Sequence, residues 1–109
     1  MSNLSESEFE LQADRTLSDM VERLADLEAD EFEADLASGV LKIDFDDGPT
    51  FVVNSHRAAR QIWMAAGATA WHFDFNEGRW IATKTKEELW SMVEDRIGQQ
   101  LGRAVSLRD

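Results

Sequence analysis

Apolar residues recur at steps of three and four early in the chain: Phe9, Ala13, Leu17, Met20, Leu24 and Leu27. At roughly 100° per residue they fall on one narrow stripe, which predicts a helix over residues 5–28. Ser5 followed by Glu8 supplies a capping box at its start. The period then drops to two. Phe32, Ala34 and Leu36 alternate with Glu31, Glu33 and Asp35, as a half-buried strand requires. After a turn at Ser38-Gly39, Leu41, Ile43 and Phe45 alternate with Lys42, Asp44 and Asp46. Asp46-Asp47-Gly48-Pro49 is a hairpin signal leading to a third strand over residues 51–54.

Residues 55–59 read as a connection. Alternation resumes over 61–65, with Ile62 and Met64 on one face and Gln61 and Trp63 on the other. Gly67-Ala68-Thr69 interrupts it, and Trp71, Phe73 and Phe75 then alternate with His72 and Asp74. Asn76-Glu77-Gly78 turns the chain into a sixth strand over 79–83. Thr85-Lys86-Glu87-Glu88 reads as a capping box opening a second helix. Its buried face carries Leu89, Val93, Ile97 and Leu101, with Trp90 flanking, and Gly102 is its expected C-cap. Residues 104–109 are expected to be extended.

Strands this close in sequence pair antiparallel. Two terminal helices with apolar stripes must then cover one face of the sheet and leave the other open. The expected architecture is α+β, a two-layer α-β sandwich with about six strands, in a single domain over residues 1–109. A length of 109 residues suits one domain, and four Trp and six Phe supply large core volumes.

The absence of cysteine removes disulfides, thiolate nucleophiles, thiolate zinc sites and cysteine-ligated clusters from consideration. No apolar run approaches the ~20 residues of a membrane span. The opening Met1-Ser2-Asn3-Leu4-Ser5-Glu6 has neither a basic start nor an apolar segment, so a cytoplasmic, prokaryotic location is the expectation. The net charge of −11 is unevenly placed. Residues 1–35 hold twelve carboxylates against Arg15 and Arg23. That third of the chain repels nucleic acid and anionic membrane and attracts cations or basic protein surfaces.

On the first helix Asp19, Glu22 and Asp26 lie at i, i+3 and i+7, within roughly 60° of one another. Asp30 extends their line if the helix continues. Glu31, Glu33 and Asp35 then follow on the outward face of the adjoining strand. Hard cations take carboxylate oxygen, so iron(II), iron(III), calcium, manganese and magnesium all qualify. A flat exposed row binds such ions weakly, with water completing the shell. The plain alternative is a solvated acidic face that serves solubility and protects a strand edge.

Trp63 points to the uncovered side of the sheet if Ile62 and Met64 are core, with Asn54 near it. An exposed tryptophan is a favoured interface anchor. The alternative is that Trp63 packs under a loop. His56 and His72 have no partner at metal-ligand spacing and read as ordinary surface histidines. No nucleophile elbow, catalytic triad or phosphate loop is present, so no enzyme is expected.

Several strings resemble the frataxin family in its bacterial CyaY-type branch. They are Val53-Asn54, six intervening residues and then Gln61-Ile62-Trp63-Met64-Ala65, together with Trp71-His72-Phe73-Asp74, Trp80-Ile81, Glu88-Leu89-Trp90 and Val105-Ser106-Leu107-Arg108. The resemblance spans about residues 6–108. His56 and Ala58 stand where the family often has Gln and Pro, and Ala25 and Ala29 stand where carboxylates are expected.

The resemblance implies an iron-binding regulator, adaptor or iron donor in iron–sulfur cluster assembly. It implies weak binding of Fe2+ and Fe3+ through ridge carboxylates, carried across to Glu22, Asp26, Glu28, Asp30, Glu31, Glu33 and Asp35. It also implies contact with the cysteine desulfurase and the iron–sulfur scaffold protein, with Asn54, Gln61 and Trp63 on the sheet as partner-binding residues. A monomer is expected, with a metal-dependent oligomer left open. An acidic adaptor without a metal role and a weak ferroxidase are the alternatives. The Glu-x-x-His pairs of a di-iron site are missing, which counts against the second.

Overall fold

The computed structural model describes residues 4–107. The chain runs α1 (Glu6–Asp26), β1 (Phe32–Ala37), β2 (Val40–Phe45), β3 (Thr50–His56), β4 (Gln61–Ala66), β5 (Thr69–Asn76), β6 (Arg79–Ala82) and α2 (Leu89–Leu101). The six strands form one antiparallel sheet in sequence order, each paired with its chain neighbour. Ser38 and Gly39, with φ of 52° and 76°, make the first tight turn. Positive φ at both positions matches the twist of the strands they join.

The alternation read from the sequence is the alternation of burial. Leu41, Ile43, Phe45, Phe51, Val53, Ile62, Met64, Trp71, Phe73 and Trp80 face the helices and are buried. Phe9, Ala13, Leu17, Met20 and Leu24 of α1 and Leu89, Met92, Val93 and Ile97 of α2 complete that core. Fully burying one such large side chain stabilises the fold by about 1.5–3 kcal/mol. Trp80 ties distant segments together. Its ring meets Phe9 edge-on at 5.9 Å, and its Nε1 donates to Thr16 Oγ1 at 3.0 Å.

Several boundaries differ from the sequence expectation, and three of them have a clear structural cause. α1 ends at Asp26, not residue 28. The N–H groups of Leu27 and Glu28 bond back to the Leu24 and Ala25 carbonyls, and Glu28 turns left-handed at φ 50°. β3 continues through Ser55 and His56, because they find partners in Ile62 and Gln61. The connection is therefore only residues 57–60. α2 begins at Leu89, and Thr85 is not its cap. Glu88 is the cap, its carboxylate accepting from the N–H groups of Trp90 (2.9 Å) and Ser91 (3.1 Å). Lys86 at φ 65° breaks the helical path that a cap at Thr85 requires.

Gly102 ends α2 at φ 73°. The tail then returns along the helix and buries Leu107, whose N–H donates to the Glu94 carboxylate at 2.7 Å. Gly98 permits that approach, since a Cβ there would meet the Arg103 carbonyl at 2.9 Å. The expected extended tail also included Arg108 and Asp109, and these lie outside the described residues, as do Met1, Ser2 and Asn3 at the other end.

Candidate functional site

The acidic positions separate into three groups. Asp19, Glu22 and Asp26 are exposed along α1, the last of them closing the helix. Glu28, Glu33 and Asp35 come together around a shallow groove of about 470 Å³ between the end of α1 and β1. Because α1 stops at Asp26, the chain crosses to β1 through the left-handed Glu28, and this crossing brings Glu28 alongside the strand's outward residues. Asp30 and Glu31 lie elsewhere. They line a second depression of about 330 Å³ with Asp46, Asp47 and Gln100. Asp30 therefore does not prolong the helical line.

Glu31 is tied to Arg103 beyond α2, with Oε2 at 2.7 Å from Nη1 and Oε1 at 3.5 Å from Nη2. This hydrogen bond holds the Glu31 carboxyl below the usual carboxylate range and raises the guanidinium's. In contrast, Glu28, Glu33 and Asp35 form no ion pair among the described residues. Among those residues no three His, Asp or Glu side chains converge into a ready coordination set. The donor set is hard oxygen, open to solvent and unwrapped. That suits loose, exchangeable cation binding in which water supplies the remaining ligands.

Asp44 also lines the groove, on the strand next to Glu33. Sequence reasoning did not place it in the site, although its outward position on β2 is the signal that finds it. Asp46 and Asp47 likewise join Asp30 and Glu31 only because the β2–β3 turn folds toward them.

The helix-free face of the sheet carries the second set. Asn54 is directly opposite Trp63 across β3 and β4, and His72 is directly opposite it across β4 and β5. Trp63 is half-buried because its indole is held between two imidazoles. His56 stacks on it at 3.8 Å and 11°, and His72 at 4.2 Å and 12°. Trp63 Nε1 donates to Gln61 Oε1 at 2.8 Å, and Gln61 Nε2 donates to Asp74 Oδ1 at 2.9 Å. The His56 ring is itself fixed, its Nδ1 accepting from the Ala59 N–H at 3.3 Å. The structure thus brings Asn54, Gln61 and Trp63 together and adds His56, His72 and Asp74. The two histidines, read from sequence as ordinary surface residues, are the walls of the tryptophan's slot.

The comparisons with known proteins agree with this architecture. A family model described as a frataxin-like domain matches residues 2–103. The iron-sulfur cluster assembly protein CyaY of Ralstonia nicotianae is 39% identical over 104 residues, covering 92% of this chain and 91% of that protein. Frataxin from Psychromonas ingrahamii superposes with a TM-score of 0.90 at 23% identity, covering 97% of this chain and 100% of that one. Trimeric frataxin of the yeast Saccharomyces cerevisiae, complexed with ferrous iron, gives 0.76 at 22% identity, covering 84% and 87%. The two structural likenesses are likenesses of fold, and the family match and the CyaY identity go further. The chain belongs to the frataxin family.

Proposed function

We propose that this chain serves iron–sulfur cluster assembly as a non-catalytic acidic adaptor. It holds Fe2+ or Fe3+ loosely and docks on the cysteine desulfurase and its scaffold protein. The observation that carries this reading is the gathering of Glu28, Glu33, Asp35 and Asp44 around one groove, where Glu28, Glu33 and Asp35 have no ion-pair partner among the described residues. Exposed carboxylates gathered at one place attract cations and basic protein surfaces. The name of the Ralstonia relative supports the pathway, and the ferrous complex of the yeast protein supports the cargo.

The helix-free face supplies a second contact. Trp63 is rigid, oriented by two stacked rings and one hydrogen bond, and so loses little freedom when a partner covers it. None of the described helices is long and apolar enough to cross a membrane. The proposal takes the chain as a cytoplasmic monomer.

Cluster-assembly kinetics, run with desulfurase and scaffold at several iron concentrations, test the reading. The protein should change the assembly rate, and the change should depend on iron. A rate indifferent to the protein at every iron level contradicts it. Iron(II) oxidation followed in the same buffer tests the non-catalytic part, with no acceleration expected.

A further inference from the structure

The two edges of the sheet differ. β6 is closed by its own chain: Ile81 bridges to Glu88, and the Ala82 N–H donates to the Glu87 carbonyl at 2.8 Å. No such cover lies over β1 among the described residues. The Asp46 N–H donates to the Glu31 carbonyl at 2.9 Å, one step beyond the Phe32–Phe45 pair. Bonded and non-bonded pairs alternate along an antiparallel ladder. Glu33, Asp35 and Ala37 therefore exchange bonds with β2, while the N–H and C=O groups of Ala34 and Leu36 point away from it. The next ladder agrees. The bond from the Ser55 N–H to the Gly39 carbonyl, at 3.0 Å, assigns Leu41 and Ile43 to β3 and leaves Val40, Lys42 and Asp44 for β1.

The outward groups of Ala34 open on the groove beside α1. Ala25, Ala29 and Ala34 give it an apolar floor of small side chains beside the buried Phe32 ring, and Glu28, Glu33 and Asp35 share its walls. We propose that this groove accepts an extended, basic segment of a partner protein as a seventh strand on β1. The proposal rests on the docking function above and specifies its mode of contact.

The occupant's pattern follows from the pleat. A strand laid on β1 turns alternate side chains to the two faces. Those on the helix side meet Ala34, Ala25 of α1 and Ala29 of the crossing to β1, whose small side chains suit an apolar residue of modest size. Those on the open side stand beside Glu33 and Asp35, where lysine or arginine finds opposite charge. The backbone groups supply the hydrogen bonds and the carboxylates select the sequence. The same carboxylates deter a second copy of this chain, whose own β1 brings like charges to the seam.

The test uses the intact chain and two blocked seven-residue peptides of equal composition, one alternating lysine and valine, the other with its lysines contiguous. Strand addition predicts about tenfold tighter binding of the alternating peptide. It also predicts about tenfold slower amide exchange at Ala34 and Leu36 when that peptide is bound. Equal affinity for the two peptides, or unchanged exchange at those amides, overturns the proposal. Ala34→Pro removes an N–H that the domain leaves unused and should erase the preference between the peptides. Protection of Ala34 without any desulfurase binding upholds the groove and contradicts the proposed partner. Desulfurase binding without protection of either amide, in the complex or with the peptide, removes the groove alone.

Discussion

Glu33 stands directly opposite Asp44 across the first two strands, so two carboxylates occupy one cross-strand position on the open face of the sheet. Like charges placed this way destabilise a sheet by about 0.2–1 kcal/mol. Glu33→Lys should therefore raise stability by about that amount and weaken capture of the desulfurase. Urea denaturation and a pull-down on the same variant read both effects. A more stable variant that binds undiminished would separate the repulsion from the function.

The start of α2 rests on Glu88, whose carboxylate accepts from two backbone N–H groups and from the Ser91 hydroxyl at 3.2 Å. Removing a cap of this kind costs about 0.5–2 kcal/mol. Glu88→Ala should lose about 1 kcal/mol in chemical denaturation. Thr85→Ala should lose much less, since Thr85 accepts only a long 3.4 Å bond from the Glu87 N–H. Equal losses would return the cap to the earlier position.

Trp63 exchanges ring faces with two histidines and a hydrogen bond with Gln61. Stacked aromatic pairs are worth about 0.5–1.5 kcal/mol each beyond their buried area. Trp63→Ala should cost about 1–3 kcal/mol on that basis. Trp63→Phe keeps a ring in the slot and loses the N–H, and should fall between wild type and alanine. Thermal denaturation of the two variants orders them, and identical midpoints for both would mean the stack contributes nothing to stability.

The Glu31–Arg103 contact gives the fold a pH dependence of known sign. The Arg103 hydrogen bond lowers the folded carboxyl's pKa below its unfolded value. The stabilisation is thus complete above the unfolded value and is lost as pH falls through the lowered one. Arg103→Ala should raise the Glu31 carboxyl toward the ordinary range in a carbon-detected NMR titration, with a backbone hydrogen bond still holding it down in part. It should also flatten the acid limb of the stability curve. Both groups are well exposed, so the effect on stability is small.

Much of this fold is legible in the chain because periods of two and 3.6 bury different sets of side chains. Leu41, Ile43 and Phe45, or Phe9, Ala13 and Leu17, state their own faces. The site is less legible because it depends on where elements stop. Glu28 joins Glu33 only because α1 ends two residues before the stripe suggests. Asp30 leaves the ridge for the same reason. His56 reaches Trp63 because β3 runs on through residues whose polarity reads as a loop. Such partnerships are set by register across strands, which a single strand's pattern does not carry.

The uninterrupted meander also bears on how the molecule assembles. Each hairpin can form from residues close in sequence, so the sheet can grow stepwise with small loop-closure entropy at every stage. The link from α1 to β6, made by Trp80 with Phe9 and Thr16, spans more than half the chain and must close across that distance. Truncating Trp80 should therefore speed unfolding more than it slows refolding, with the sheet already formed at the rate-limiting barrier.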